Sequence, residues 1–314
     1  MIPLEWIEEA EQRIKNLIVK TSVIYDPNLD LYLKLESHQK TGSFKLRGAS
    51  NKVLSLTDWE MAGGVVTCSA GNHGQGVALA SKLCGIQCTV FAPVHAAQVK
   101  ITAIEQLGAK VMLIKGGYVE AEKAAIQYSS ENKKTFISPY NDRQVIAGQG
   151  TIALEIIDDF GSLEKIKTLL VPTGGGGLIC GIGAAIDERS DRPRLIGVQS
   201  EASAFAYQLL LTGSQAGVVE QDSIAEGLAG EIDHESITIP LMKKFVDEIV
   251  LVSEEEIRAA IRYAWKKYGE IIEGSAAVGL AARLAGKIPS LPALTVITGG
   301  NIQPELFNSI IKDV

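Results

Sequence analysis

The sequence is poor in the features that mark several large protein classes. Cysteine is scarce: Cys68, Cys84, Cys88 and Cys180 are the only four in 314 residues, all in apolar surroundings. Cys84 and Cys88 have helical spacing, yet no histidine or second cysteine pair stands nearby to complete a metal site, so buried reduced thiols are expected. No Lys/Arg-rich block occurs, and 30 basic against 37 acidic residues leave a net charge of −7. Nucleic acid and anionic membrane are therefore not expected partners. The start, MIPLEWIEEAEQR, lacks a basic-then-apolar targeting pattern. The uncharged run Thr168 to Ile186 contains Pro172 and six glycines and does not suit a membrane-spanning helix. A cytoplasmic location is the expectation.

Two nucleotide signatures are also missing. The pattern G-x-G-x-x-G has no match around Gly174, Gly175 or Gly176. The only Gly-Lys pair, Gly286-Lys287, precedes Ile288 rather than the Ser/Thr of a P-loop. A dinucleotide or ATP loses ground, and a small phosphorylated cofactor stays open.

What is present is regular. Leu29, Leu31, Leu33 and Leu35 alternate with Asp30, Tyr32, Lys34 and Glu36, the period of a half-buried strand. From Gly63, apolar strands (GVVTCS, CTVFAP, KVMLI, TFISPY) alternate with helical stretches. A second series contains TLLVP, LIGVQS, EIVLV and LTVIT, and Ser253 to Glu256 forms a capping box. Strand–helix–strand spacing of this kind predicts an α/β fold: two lobes, each a mostly parallel sheet covered by helices, with a cleft between them.

Four consecutive glycines, Gly174 to Gly177, sit between strand TLLVP and the helix-like LICGIGAAI. That is the carboxyl end of a strand, where ligands of open α/β sheets bind. Side-chain-free amides before a helix N-terminus suit a phosphate, whereas a tight turn alone would need only one or two glycines. In TGSFKLRGA, Ser43 is a good N-cap and places Lys45 in a first helical turn, where a cation opposes the helix dipole. Partial burial and that dipole both lower an amine's pKa, which suits an imine-forming lysine. TCSAGNHGQG opens another helix, and the amides after Ser69 make a second anion site. Two anion sites and an imine lysine fit one ligand, an amino acid joined to pyridoxal 5′-phosphate. The Ser69, Ala70, Gly71, Asn72, His73 turn would take the substrate carboxylate. His73, by itself, suits a structural helix start better than a catalyst.

TGSFKLRGA, SAGNHGQG, VIAGQGTIALEI, PTGGGGL and ITGGN together resemble the serine/threonine dehydratase (threonine ammonia-lyase) and serine racemase group of fold-type II pyridoxal-phosphate enzymes. They appear in the family order from Lys40 to Asn301, nearly the whole chain. The resemblance implies a two-lobed, tryptophan synthase β-like fold. Residues 1–52 and 145–314 would form a large cofactor-binding domain, and residues 53–144 a small mobile one. It further implies that Lys45 carries the cofactor as an imine, Phe44 packs on its ring and Asn72 bonds the ring 3′-oxygen. Gly174, Gly175, Gly176, Gly177 and the Leu178 amide would cradle the phosphate, and Thr298 would face the pyridine nitrogen. A homodimer or higher homo-oligomer acting on a small amino acid is implied.

The implied reaction is loss of water from L-threonine- or L-serine-type substrates, the dehydrated product then hydrolysing to a 2-oxo acid and ammonia, with Lys45 as the base at Cα. A racemase or a β/γ-replacement enzyme such as a threonine synthase shares the fold, and a non-catalytic phosphate-ligand protein would not need Lys45. The motifs do not rank threonine, serine and hydroxyaspartate. Ala70 stands where serine racemases carry a second serine. Gln199, Ser203 and Phe205 stand where the racemase pattern has acidic metal ligands, so no metal is expected there. The chain stops soon after Asn301, leaving no room for a C-terminal regulatory domain. DSIAEGLAGE resembles the segment that closes over the cofactor, with Glu226 in place of the usual Asp and no role assigned to it.

Overall fold

The computed structural model describes residues 1–312. Helix α1 (Leu4–Ile14) precedes an antiparallel pair, β1 (Val23–Asp26) and β2 (Leu31–Leu35). Helices α2 (Lys45–Leu54) and α3 (Asp58–Gly63) lead into alternating units. These are β3 (Val65–Cys68), α4 (Asn72–Leu83), β4 (Cys88–Pro93), α5 (Gln98–Gln106), β5 (Lys110–Ile114), α6 (Tyr118–Glu131) and β6 (Thr135–Phe136). The long α7 (Arg143–Phe160) is followed by β7 (Thr168–Pro172), α8 (Gly177–Ile186), β8 (Arg194–Ser200), α9 (Phe205–Thr212) and α10 (Thr238–Phe245). β9 (Glu248–Val252), α11 (Glu254–Tyr268), α12 (Gly274–Leu284), β10 (Ala293–Ile297) and α13 (Pro304–Ile311) complete the order.

Two sheets result. The four strands taken from residues 65–136 pair in the order β5-β4-β3-β6, all parallel. The other six pair as β1-β2-β10-β7-β8-β9, parallel except for β1. Helices cover both faces, so the central strands read as continuous apolar runs: every residue of β3, β7 and β10 is buried. The α/β architecture expected from the sequence is observed. Ser253 does cap α11, accepting from the Glu256 amide while Glu256 reaches back to the Ser253 amide.

Two local expectations need correction. The alternating leucines do not form a half-buried strand: Lys34 is as buried as Leu33 and Leu35. Its ammonium is accommodated because Glu155 of α7 and the Thr21 carbonyl each lie 2.7 Å from Nζ. As the strand CTVFAP implied, Cys84 caps the end of α4 and Cys88 begins β4. Ser43 does not cap α2, because it pairs with Gly299 in an isolated β-bridge and its buried hydroxyl finds no partner.

Candidate active site

The five motifs converge at the seam between the two sheets. Lys45 is the first residue of α2, and its Nζ donates to the Pro139 carbonyl at 3.0 Å. The next residue, Tyr140, lies against the glycine turn. A Cβ added to Gly175 would stand 2.5 Å from Tyr140 Cγ, and one on Gly177 would stand 3.0 Å from Tyr140 Cα. One short segment, 139–140, therefore touches both the amine and the candidate phosphate cradle.

The other two glycines of the turn answer to different neighbours. A Cβ on Gly174 would stand 2.9 Å from Leu228 Cα, and Gly176 has φ +87° with Met242 Sδ 2.8 Å from where its Cβ would be. Side chains are thus excluded by packing as well as by backbone conformation. Among the described residues the amides of Gly174 to Leu178 donate to no protein acceptor; the turn's carbonyls take the Thr238 hydroxyl at Gly175 and the Cys180 amide at Gly176. Unpaired amides at the start of α8, ten residues long, are what a phosphate group requires.

The turn before α4 has the same character. The Gly71 amide goes to Ser69 Oγ at 3.1 Å, and the amides of Ala70, Asn72 and His73 have no protein acceptor. The His73 ring is committed elsewhere. It is 2% exposed, and its Nε2 donates to the Ile137 carbonyl at 3.1 Å. Burial, with the Lys45 charge added, pushes this imidazole down to about 3, so it stays neutral. What His73 can offer an anion is its backbone N–H.

Asn72 links the two sheets. Its Nδ2 donates to Glu273 Oε1 at 2.8 Å, and its Oδ1 accepts from Asn301 Nδ2 at 2.7 Å. One N–H of the Asn72 amide is left for a ligand oxygen. Thr298 directly follows β10, and its carbonyl takes the Phe44 amide at 3.0 Å. This contact, with the Ser43–Gly299 bridge, ties the start of α2 to the end of β10. The Phe44 ring lies 5.2 Å from Lys45 Nζ.

Burial pushes the Lys45 ammonium down to about 8, against the pull of the Glu273 carboxylate. Burial likewise pushes Glu273 up to about 7, opposed by the Asn72 hydrogen bond. The result is an amine able to give up its proton near neutrality, beside a carboxyl able to hold one.

Glu273 and Tyr140 escaped the sequence reading. Glu273 occupies the N-cap position of α12 without capping it, its carboxyl being turned to Asn72. An acidic residue directly before the helical run GSAAVGLAA was the available signal. Tyr140 carried none, because its contact with Gly175 is made across 35 positions of sequence. Where the racemase pattern has metal ligands, Gln199 Oε1 accepts the Tyr207 amide, Ser203 Oγ donates to Glu220, and Phe205 is buried.

An amide cradle, a depressed buried amine and a second amide turn match a phosphorylated carbonyl cofactor carrying an amino acid, and comparison with known proteins agrees. The chain is 41% identical to an L-threonine ammonia-lyase of Thermotoga maritima over 99% of its own length and 79% of that protein's. Its fold superposes on maize serine racemase with a TM-score of 0.91 at 30% identity, covering 99% of this chain and 97% of that one. Processed threonine deaminase isoform 2 of Solanum lycopersicum gives 0.90 at 29%, covering 98% and 87%. Residues 14–299 match the family described as pyridoxal-phosphate dependent enzymes, and the chain belongs to that family.

Proposed function

We propose that the protein is a threonine ammonia-lyase, removing water from L-threonine, with L-serine-type hydroxyamino acids as further substrates, to give an enamine whose hydrolysis takes the water back up and releases a 2-oxo acid and ammonia. The observation that carries this reading is Lys45, a half-buried amine at the start of α2 whose ammonium is pushed down to about 8, joined through Pro139 and Tyr140 to the glycine turn. The 41% identity to an L-threonine ammonia-lyase supports it.

The residues fit pyridoxal 5′-phosphate. In this reading the amides of Gly174, Gly175, Gly176, Gly177 and Leu178 hold the phosphate, and Phe44 lies against the ring. Asn72 gives its remaining N–H to the ring oxygen, and the Thr298 hydroxyl meets the ring nitrogen. When bound, the cofactor supplies the carbonyl that binds the amino group and the electron sink that acidifies the substrate Cα–H. Lys45 would hold the cofactor through its amine, and the same amine, when free, would take the proton from the substrate Cα. The free amides of the 69–73 turn orient the substrate carboxylate. Glu273 fixes Asn72. With an alanine at position 70, the side of the substrate opposite Lys45 lacks a hydroxyl that could return a proton, which favours elimination over racemisation.

The same proposal divides the chain into a large domain (1–52 and 145–314) and a small mobile domain (53–144), with the cleft between them. It extends to a cytoplasmic, homo-oligomeric enzyme, supported by four cysteines that are all free. No helix among the described residues is long and apolar enough to cross a membrane. A panel of L-threonine, L-serine and L-3-hydroxyaspartate, assayed for 2-oxo acid and for D-isomers, tests the reading. Release of 2-oxobutanoate from threonine supports it. D-amino acid formation at rates rivalling 2-oxo acid release overturns it.

A further inference from the structure

Lys100 and Glu226 meet across the seam, Nζ to Oε2 at 2.7 Å. Lys100 belongs to α5, which flanks the four-stranded sheet. Glu226 opens a single 3₁₀ turn, Glu226–Leu228, attached to the other sheet. That turn is fixed on its own side: the Gly227 amide donates to Ser275 Oγ at 2.9 Å, and Leu228 lies against Gly174 of the glycine turn. Ser275 is two residues from Glu273. Lys100 occupies the third position of α5, a first turn that contains no acidic residue. An unpaired cation there would oppose the helix dipole, and the Glu226 carboxylate relieves both the lysine and the helix end. Lys100 and Glu226 also stand close enough to Glu273 for both charges to act on its carboxyl.

We propose that Lys100 and Glu226 form a clasp across the mouth of the cleft, acting as positioning residues that hold the α4–α5 layer, with its 69–73 turn, against the 222–231 segment while substrate is bound. The inner bridge from Asn72 to Glu273 and Asn301 joins the same two sides, so the clasp is its outer counterpart. Binding and release of substrate require the outer pair to part. The proposal rests on the amino-acid substrate reading above.

Lys100→Met, Glu226→Gln and the reversed pair Lys100→Glu/Glu226→Lys test it in the cofactor-loaded enzyme. Each single variant should raise the KM for L-threonine about two- to fivefold, the range that a partly exposed ion pair supports, with kcat changed less than about twofold. Added KCl should raise the wild-type KM toward the variants' value and leave the variants unmoved. The reversed pair should restore most of the loss, because a glutamate at position 100 also suits the helix dipole. Hydrogen exchange gives a readout independent of turnover: in both single variants it should quicken in residues 98–106 and 222–231. Unchanged exchange in both segments overturns the clasp whatever the kinetics show. So does a reversed pair that accumulates the two single defects. Absent activity on every amino acid, with exchange altered as expected, would count against the substrate reading and leave the clasp standing.

Discussion

Replacing Arg47 with methionine should cost this protein more stability than almost any other single change, and the structure shows why. The guanidinium is fully buried and makes five hydrogen bonds. Nε and Nη2 each donate to Glu36 at 2.8 Å, Nη1 and Nη2 to Glu155 at 2.7 and 2.9 Å, and Nη1 to Thr151 at 3.3 Å. Lys34, equally buried, completes a cluster of two cations and two carboxylates. Methionine fills a similar volume but leaves Glu36 with only the Thr21 hydroxyl at 2.6 Å. Removing one partner of a buried ion pair costs about 3–5 kcal/mol, because the remaining charge keeps its desolvation penalty. For a chain of this length the unfolding entropy is on the order of 0.65 kcal/mol/K, so the melting temperature should fall by roughly 5–8 °C.

The loss should also depend on pH. Burial raises the Glu155 carboxyl, but the hydrogen bonds and charges of Arg47 and Lys34 outweigh it and hold the group below its ordinary value. A carboxyl held low in the folded state contributes stability above its unfolded pKa, about 4.3, and loses it on acidification. The gap between wild type and Arg47→Met should therefore be widest near neutral pH and narrow below about pH 4. Arg47→Lys keeps the charge but one ammonium cannot reach both carboxylates, so it should fall between the two. Thermal melts followed by circular dichroism at pH 7 and at pH 4 decide the matter. A drop under about 2 °C at neutral pH would refute the reasoning, since the cluster would then contribute no more than a surface pair.

Three further outcomes are expected at the site itself. Lys45→Ala should leave the fold intact and lower 2-oxo acid production by at least about 10³-fold, since the anchor and the base are lost together; wild-type turnover by the purified variant would remove Lys45 from its role. Gly175→Asn should displace the Tyr140 ring, and the near-isosteric Gly175→Asp should weaken retention of pyridoxal phosphate at least about tenfold more than the asparagine, through its charge; equal affinities by titration would mean that the glycines serve packing only. Ala70→Ser should raise D-serine formation from L-serine relative to pyruvate, and a ratio unchanged by chiral chromatography would show that the position 70 side chain does not face the reacting carbon.

The alternation of strands and helices was legible because parallel strands buried on both faces are written as short apolar runs. Lys45 and the four glycines stood out as candidates because their local composition conflicts with ordinary helix or loop preferences, whereas Asn72 was singled out only through the family resemblance. Residues acting at a distance were not legible. Arg47 looks like any arginine after a first helical turn until Glu36 and Glu155 close around it from 11 and 108 positions away. Lys34 looked solvent-facing because alternation reports polarity, and a buried ion pair is polar. Ser43 failed as a cap because Gly299, remote in sequence, claimed its backbone first.

Two of the motifs make sense only when α2 is viewed from its neighbours. Gly76, within SAGNHGQG, lies where a Cβ would stand 3.2 Å from the carbonyl oxygen of Lys45 and the amide nitrogen of Leu46. Gly148, within VIAGQGTIALEI, lies where a Cβ would stand 2.7 Å from the Arg47 carbonyl and Gly48 Cα. Backbone therefore meets backbone on both sides of the helix that carries the amine, an approach that only glycine permits. The buried cluster holds Arg47 from behind, and the Thr298 carbonyl holds the Phe44 amide in front. Tolerance for displacing Lys45 is correspondingly small, since even a methyl group at Gly76 or Gly148 would push α2 along with its first residue. The glycines of these two motifs thus place the lysine, while those of the four-glycine turn leave amides free for an anion. Two different demands on the chain are met by the same residue type.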